Sequence, residues 1–286
     1  MDGKLKGKNI VITGATDGIG KQAAKELAAM GANLILVGRS EERCRQAVEE
    51  VIAISGNSQV DSLLADLSSM EQVSRLADEV LARFDRLDVL VNNAGAGFVR
   101  RAETVDGFER TFALNHLAYF LLTLKLLPLI ESTPDSRIVS TSSGSHFSGK
   151  IHFEDPHLRR GYFVMKAYAQ SKLANVMFTY ALARRLVDKP VTANCFHPGL
   201  VSTGIFRKVP VVGGLVDWVQ SWKAISVEEG ADTLVYLASS GEAALTSGGY
   251  FYKRKVRTTN PISYDIAAQD HLWEISAEMV RPWLEG

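Results

Sequence analysis

Little in this sequence points toward a disulfide scaffold, a polyanion or a lipid. Among 286 residues there are two cysteines, Cys44 in a charged helical stretch and Cys195 in an apolar strand. That number and placement exclude a disulfide framework and a thiolate metal site, and the expectation is two free thiols. Lysine plus arginine and aspartate plus glutamate number 32 each, so no long-range field selects a nucleic acid or an anionic surface. No linker-like stretch, repeat or low-complexity segment divides the chain, which reads as one domain over 1–286 with a C-terminal tail from about residue 253. The opening, MDGKLKGKNIVITG, lacks the apolar core and small-residue cleavage site of a secretory signal, so the expected location is cytoplasmic. The most lipid-like run, 112–130, carries Asn115, His116, Lys125 and Pro128. Such groups are costly in hydrocarbon, so it reads as a buried core helix and not as a membrane span.

What is present is alternation. The runs NIVITG, ANLILVG, SQVDSLLAD, LDVLVNNAG, SRIVSTSS and VTANCFHPG, with a last strand near 248–252, alternate with helical stretches at 18–30, 40–55, 69–84, 106–131, 166–187 and 226–239. That order builds right-handed βαβ units. The strands are almost continuously apolar, as in a parallel sheet covered on both faces. The expected fold class is therefore α/β, a doubly wound sheet of about seven parallel strands with helices on both faces.

The first strand runs into TGATDGIG, Thr13 to Gly20. Gly14, Gly18 and Gly20 allow a tight turn and a close backbone approach, so a pyrophosphate can rest on free N–H groups at the positive end of the helix that opens there. Thr16, Asp17 and Ile19 belong to the same cradle. At the end of strand two, where an acidic residue would bond the ribose hydroxyls, the sequence reads VGRS. The Arg39 guanidinium can hold a 2′-phosphate by paired charge-assisted bonds, which favours NADP(H), with NAD(H) the alternative. The competing reading is an exposed Arg39 with Glu41 and Glu42 only capping the next helix. Asp66, after strand three, serves either an adenine amino group or the N-terminus of the next helix.

The stretch YAQSK sets Tyr168 four residues before Lys172, one above the other on a helix. One such pair says little in a chain with 8 tyrosines, and its neighbours decide its meaning. In order along the chain stand TGATDGIG, ADLS, NNAG at 92–95, NHLAYF from Asn115, IVSTSS, YAQSK and HPGLVSTGIF. Together they make the chain resemble the short-chain dehydrogenase/reductase family over nearly its whole length. SGSHFSGKIHFEDP and AYAQSKLANVMFTYALARRL most resemble that family's retinol-dehydrogenase-like branch. The resemblance implies a Rossmann fold, with Ser143, Tyr168 and Lys172 as the catalytic set and Asn115 supporting them. It also implies cofactor contacts from Asp66 and Leu67, from Asn93, Ala94 and Gly95, from Tyr168 and Lys172, and from Pro198, Gly199, Val201 and Thr203.

Physical chemistry assigns each of these a task. To act as a base near pH 7 a phenol must be lowered by roughly 3 units, about 4 kcal/mol. A cation about 4 Å away at an effective dielectric of about 20 supplies about that much, which is the expected use of Lys172. Strand alternation turns Ser142 and Ser143 opposite ways, so only one of them can hold the reacting oxygen, and the resemblance to the family motif implies Ser143, with Ser142 the competing candidate. For Asn115 the resemblance suggests a water linked to Lys172, and a satisfied core amide is the alternative.

Ser143 and Tyr168 are 25 positions apart (168 − 143), and the long segment brings Phe147, Phe153, Phe163 and Met165. Phe206, Trp218 and Trp222 follow farther on. Apolar walls imply an apolar substrate, although part of this set reads equally as core, and 209–222 as a membrane or partner surface. His146, His152 and His157 lack zinc-site spacing, so no metal is expected. Lys253, Arg254, Lys255 and Arg257 read as a solvated turn. The function expected is an NADP(H)-dependent oxidoreductase interconverting an apolar ketone or aldehyde and its alcohol. A dinucleotide-sensing protein without turnover, or a sugar-nucleotide epimerase or dehydratase, is the alternative. Finally, Phe112, Leu117, Phe120, Leu121, Leu124 and Leu127 surround more of one helix than a single core stripe requires. The expected consequence is a homodimer, with cover by residues 262–284 as the alternative.

Overall fold

Four consecutive β-branched residues, Ile10 to Thr13, favour the extended chain of β1 (Asn9–Thr13), and the strand is buried along its whole length. The computed structural model describes residues 3–199 and 225–285. In it β1 is followed by β2 (Asn33–Gly38), β3 (Val60–Leu64), β4 (Val89–Asn92), β5 (Ser136–Thr141), β6 (Val191–Phe196), β7 (Tyr250–Tyr252) and β8 (Lys255–Val256). They form one 8-stranded sheet of order β3-β2-β1-β4-β5-β6-β7-β8. All neighbours are parallel except β7 and β8, so the seven expected parallel strands are present and a short antiparallel one is added. Lys253 and Arg254, at φ 49° and 60°, make the two-residue hairpin turn between them, and Arg254 pairs with Asp232. The basic run is that turn.

The helices are α1 (Gly18–Ala29), α2 (Glu41–Ser55), α3 (Met70–Arg83), α4 (Arg110–Glu131), α5 (Val164–Arg185), α6 (Val227–Ser239) and α7 (Ile266–Leu284). Strand alternation divides the core. Ile10 and Ile12 join Leu34, Leu36, Val89 and Val91 under α1, α2 and α6, whereas Val11, Ile35, Leu90 and Ile138 face α3, α4, α5 and α7. Ser40 caps α2 and Ser69 caps α3, so neither the Glu41–Glu42 pair nor Asp66 does. A capping oxygen must stand immediately before the first helical residue to reach the free N–H groups, and the serines stand there.

The segment beyond residue 253 is not a loose tail. Trp273 of α7 packs on Phe120 of α4 and Phe178 of α5, at ring-centroid distances of 4.9 and 5.8 Å. Ser276 Oγ lies 2.9 Å from His116 Nε2. Part of the apolar surface of α4 is thus covered within the chain by the segment of the alternative reading, while Leu124 and Leu127 are half-buried. α4 is the one helix among the described residues long and apolar enough to cross a membrane, yet 67% of its most apolar window is buried in the fold.

The chain leaves β1 toward β2 and β3 on one side and from β4 toward β7 on the other. The crevice between the carboxyl ends of β1 and β4 is the topological switch point, where ligands of such sheets bind.

Candidate active site

At the switch point the loop after β1 is fastened to the end of β4. The Thr13 hydroxyl donates to Val91 O at 3.2 Å and accepts the N–H groups of Asn93 and Ala94 at 2.8 and 3.1 Å. Asn93 Nδ2 donates to the carbonyls of Thr13 and Gly14 at 3.0 and 3.3 Å. The Asn93 side chain, expected at the cofactor, is therefore engaged in holding the loop. Gly14 has φ +66°, and a Cβ there would lie 2.8 Å from Ala94 Cα, so the turn tolerates no side chain. The first turn of α1 carries no acidic group, and the helix opens at Gly18, five positions (18 − 13) after the carboxyl end of β1 at Thr13. A glycine-built cradle at a helix N-terminus fits the pyrophosphate of a dinucleotide.

The other cofactor candidates surround this cradle. Asp17 caps α1 through Gly18 N at 2.8 Å and pairs with Arg43 at 3.1 Å, an exposed partner the motifs did not point to. Arg39 is exposed at the end of β2 with no ion-pair partner among the described residues. Thr16 lies in the turn itself, while Ile19 and Leu67 bury their side chains in the core and leave their backbone for a ligand. Asp66 Oδ1 accepts from the N–H and hydroxyl of Ser68 at 2.9 and 2.8 Å. Pro198 and Gly199 follow β6, and the Gly199 N–H donates to His197 Nδ1 at 3.1 Å. Val201 and Thr203, with Phe206, Trp218 and Trp222, lie outside the described residues.

Ser143, Tyr168, Lys172 and Asn115 converge beside this cradle. Lys172 is 2% exposed, its Nζ donating to Thr141 O at 3.1 Å and standing 5.6 Å from the Tyr168 ring centroid. A Cβ on Gly95 would lie 3.2 Å from both Lys172 Nζ and Asn115 Oδ1, so the two groups flank the same point of the β4 loop. Ser142 Oγ donates to Lys172 O at 2.8 Å and is buried, whereas Ser143 is half-buried, its Oγ 3.3 Å from Ser145 Oγ, and lies where it lowers the proton affinity of the Tyr168 phenol. The two serines thus have different surroundings, as strand alternation requires.

Proton affinities correct one expectation. Burial pushes Tyr168 up to about 12, with the Ser143 hydrogen bond pulling the other way, and burial draws Lys172 down to about 7. Burial of the two groups thus works against the lowering of the phenol expected from Lys172. Near neutral pH a lysine at about 7 carries only part of a charge, and its donor is aimed at Thr141 O.

Asn115 sits on a π-helical turn, Ala113–Leu117, inside α4. Its Nδ2 donates to Ala96 O and Ser171 Oγ at 3.0 and 2.9 Å, and its Oδ1 accepts Ala96 N–H at 2.9 Å. That is the satisfied amide of the alternative reading, tying α4 to the β4 loop and α5. Periodicity does not show such a widened turn, which recurs at functional sites. Tyr119 and Asn175 were also missed. Tyr119 donates to Ala94 O at 2.8 Å and stands 5.8 Å from Lys172 Nζ, a placement its spacing of four from Asn115 would have suggested. Asn175 Nδ2 shares Thr141 O with Lys172, at 3.2 Å.

Of the expected apolar walls, Phe147, Phe163 and Met165 are exposed, whereas Phe153 packs on the core and against His271. His146 Nδ1 contacts Ser143 O at 2.7 Å, and His157 accepts the Glu109 N–H. Among the described residues no three His, Cys, Asp or Glu side chains gather as metal donors. Cys44 and Cys195 are buried free thiols.

Comparison with known proteins agrees with this geometry. The model of the short chain dehydrogenase family matches residues 8–210. The chain is similar to retinol dehydrogenase 14 of Mus musculus, at 38% identity over 291 residues, covering 97% of this chain and 87% of that protein. Among solved structures it is similar to an uncharacterized protein from Mycobacterium Paratuberculosis, with a TM-score of 0.78 and 31% identity over 97% of this chain and 94% of that one. It is also similar to Pseudomonas aeruginosa RhlG, solved as an NADP active-site complex, with a TM-score of 0.71 and 26% identity over 86% of this chain and 94% of that one.

Proposed function

The chain belongs to the short-chain dehydrogenase family, and on that ground we propose that it is an NADP(H)-dependent oxidoreductase interconverting an apolar aldehyde or ketone and its alcohol. The observation that carries this reading is the pair at the carboxyl edge of the sheet, the buried Tyr168 and Lys172 with Lys172 Nζ 5.6 Å from the Tyr168 ring centroid and Ser143 placed where it lowers the phenol's proton affinity. A phenol held neutral by burial is a proton donor at physiological pH, and the Ser143 hydroxyl beside it can hold the same substrate oxygen. Tyr168 gives its proton to the carbonyl oxygen in reduction and takes it back in oxidation. Lys172, near 7, can pass a proton toward the phenolate so formed and offers it a positive charge. When bound, a nicotinamide dinucleotide supplies or accepts the hydride. The Thr13–Gly20 cradle would hold its pyrophosphate, and the exposed Arg39, with no ion-pair partner among the described residues, favours the 2′-phosphate form, the form in which RhlG was solved. The exposed Phe147, Phe163 and Met165 and the likeness to a retinol dehydrogenase support an apolar substrate.

The test is a panel of polar and apolar aldehydes and ketones with NADPH and with NADH, followed by loss of absorbance at about 340 nm. The expected result is carbonyl-dependent NADPH oxidation, faster with apolar substrates. Nucleotide binding without turnover across the whole panel would identify a dinucleotide sensor instead.

A further inference from the structure

Ser143 opens a short 3-10 turn, Gly144–Ser148, and how that turn is held decides where the Ser143 hydroxyl points. Inside the turn, Ser143 O accepts the His146 N–H at 3.1 Å and contacts His146 Nδ1 at 2.7 Å, while Ser143 Oγ accepts the Ser145 N–H at 3.2 Å. On one side the turn lies against α5: a Cβ on Gly149 would come within 2.6 Å of Ala169 O and 2.9 Å of Leu173 Cβ, one residue from Tyr168 and one from Lys172. On the other side stands Asn260. Its Nδ2 donates to the carbonyls of His146, Phe147 and Gly149 at 3.3, 3.1 and 3.1 Å.

Asn260 works from a firm base. Its Oδ1 accepts the Ile262 N–H at 3.2 Å, capping the turn Pro261–Tyr264. Thr259 Oγ1 lies 2.7 Å from Ser263 Oγ and 3.1 Å from Tyr180 Oη of α5, and Gln269 of α7 donates to Ser263 O at 2.7 Å. The residue stands 50 positions (260 − 210) beyond the stretch that the family model matches and belongs to none of the motifs.

We propose that Asn260 is a positioning residue that clamps the Ser143 turn against α5, so that the C-terminal segment completes the active site. This rests on the reading of Ser143 and Tyr168 given above. Without the amide donor, three neighbouring carbonyls lose a shared partner and the turn gains freedom on its outer side. A small loss of alignment between Ser143 and Tyr168 is then enough to slow proton transfer. Because Ser143 in this position lowers the proton affinity of Tyr168, displacing it raises that affinity, and the basic form needed for alcohol oxidation appears at higher pH.

Two substitutions separate the clamp from the local cap. Asn260→Asp keeps an oxygen for the Ile262 N–H and removes the donor to the three carbonyls. Asn260→Ser does the same without a charge, with a side chain too short to reach them. In steady-state alcohol oxidation with NADP+ as a function of pH, both should lower kcat about tenfold. Both should also move the limb that rises with pH upward by about half a unit or more, with the KM for NADP+ within about twofold of the parent. Ser143→Ala, measured alongside, reports on the reading itself. If Ser143→Ala is nearly inactive while both Asn260 variants keep the parental kcat and pH profile, the clamp is refuted and the serine reading stands. If both variants only lower the melting temperature, or raise the KM for NADP+ with no shift of the pH limb, Asn260 is structural and the proposal fails. If Ser143→Ala retains the parental rate, the reading of Ser143 fails and the clamp falls with it.

Discussion

Two regions a few residues apart in the fold handle charge in opposite ways. Around Lys172 the polar groups are enclosed: Thr141 O, Asn175, Tyr119, Asn115 and His116 are buried, and desolvation moves Lys172 down to about 7 and Tyr168 up to about 12. At the ends of β1 and β2, Asp17, Arg39 and Arg43 stand in water, and the Asp17–Arg43 pair has side chains 71% and 53% exposed. Such a pair contributes about 0–1 kcal/mol and weakens with salt. The comparison teaches that the buried centre adjusts proton affinity through burial and partners, whereas the exposed edge can only select a ligand by carrying unmatched charge. Removing a buried polar group should therefore have large effects confined to chemistry or to the fold, and removing an edge charge small effects confined to cofactor choice.

The sharpest way to break that contrast is Tyr168→Phe. It removes the proton donor and leaves the cradle intact, so carbonyl reduction should fall by about 1000-fold or more while NADPH binding, read by fluorescence titration, changes less than about twofold. A rate within threefold of the parent would place the proton on another group.

A smaller effect is expected from His116, buried beneath the site and drawn down to about 4 by desolvation. Its ordinary value is 6.5, so the unfolded chain takes up a proton between 6.5 and about 4 that the folded chain refuses. Its contribution to stability is then complete above 6.5 and is lost as pH falls toward 4, roughly 3 kcal/mol over the gap. Urea denaturation at pH 7 and near pH 4.5 should show this fall, and His116→Gln should lessen it by roughly 2–3 kcal/mol. The parent-minus-variant difference is the readout, because His197, also held near 4, contributes to the parent's slope. Equal slopes in the two proteins would show that His116 is protonated in the folded state without cost.

Smallest is Arg39→Ala. It should raise the KM for NADPH about tenfold and leave that for NADH within about twofold, since only the former carries a 2′-phosphate. Added salt should narrow the preference for NADPH in the parent, as expected of an exposed contact. Equal losses with both cofactors would make Arg39 structural and erase the difference between edge and centre.

Much of this was legible before any coordinates. The βαβ alternation, the glycine turn after β1 and the placing of Lys172 one helical turn from Tyr168 follow from local rules: which residues extend or coil, and where N–H groups are left free. Those rules operate over a few residues and need no knowledge of the rest of the chain. Other features depended on contacts between distant segments. α7 covers part of the apolar surface of α4, with Trp273 on Phe120. Asn93 turns its amide to the phosphate loop, Lys172 finds Thr141 O, and Asn260 reaches the Ser143 turn from more than a hundred residues away. The proton affinities of Tyr168 and Lys172 belong with these. Spacing places a cation beside a phenol, but whether that cation or burial prevails depends on how much water the packed fold leaves around them, and only the tertiary structure decides that.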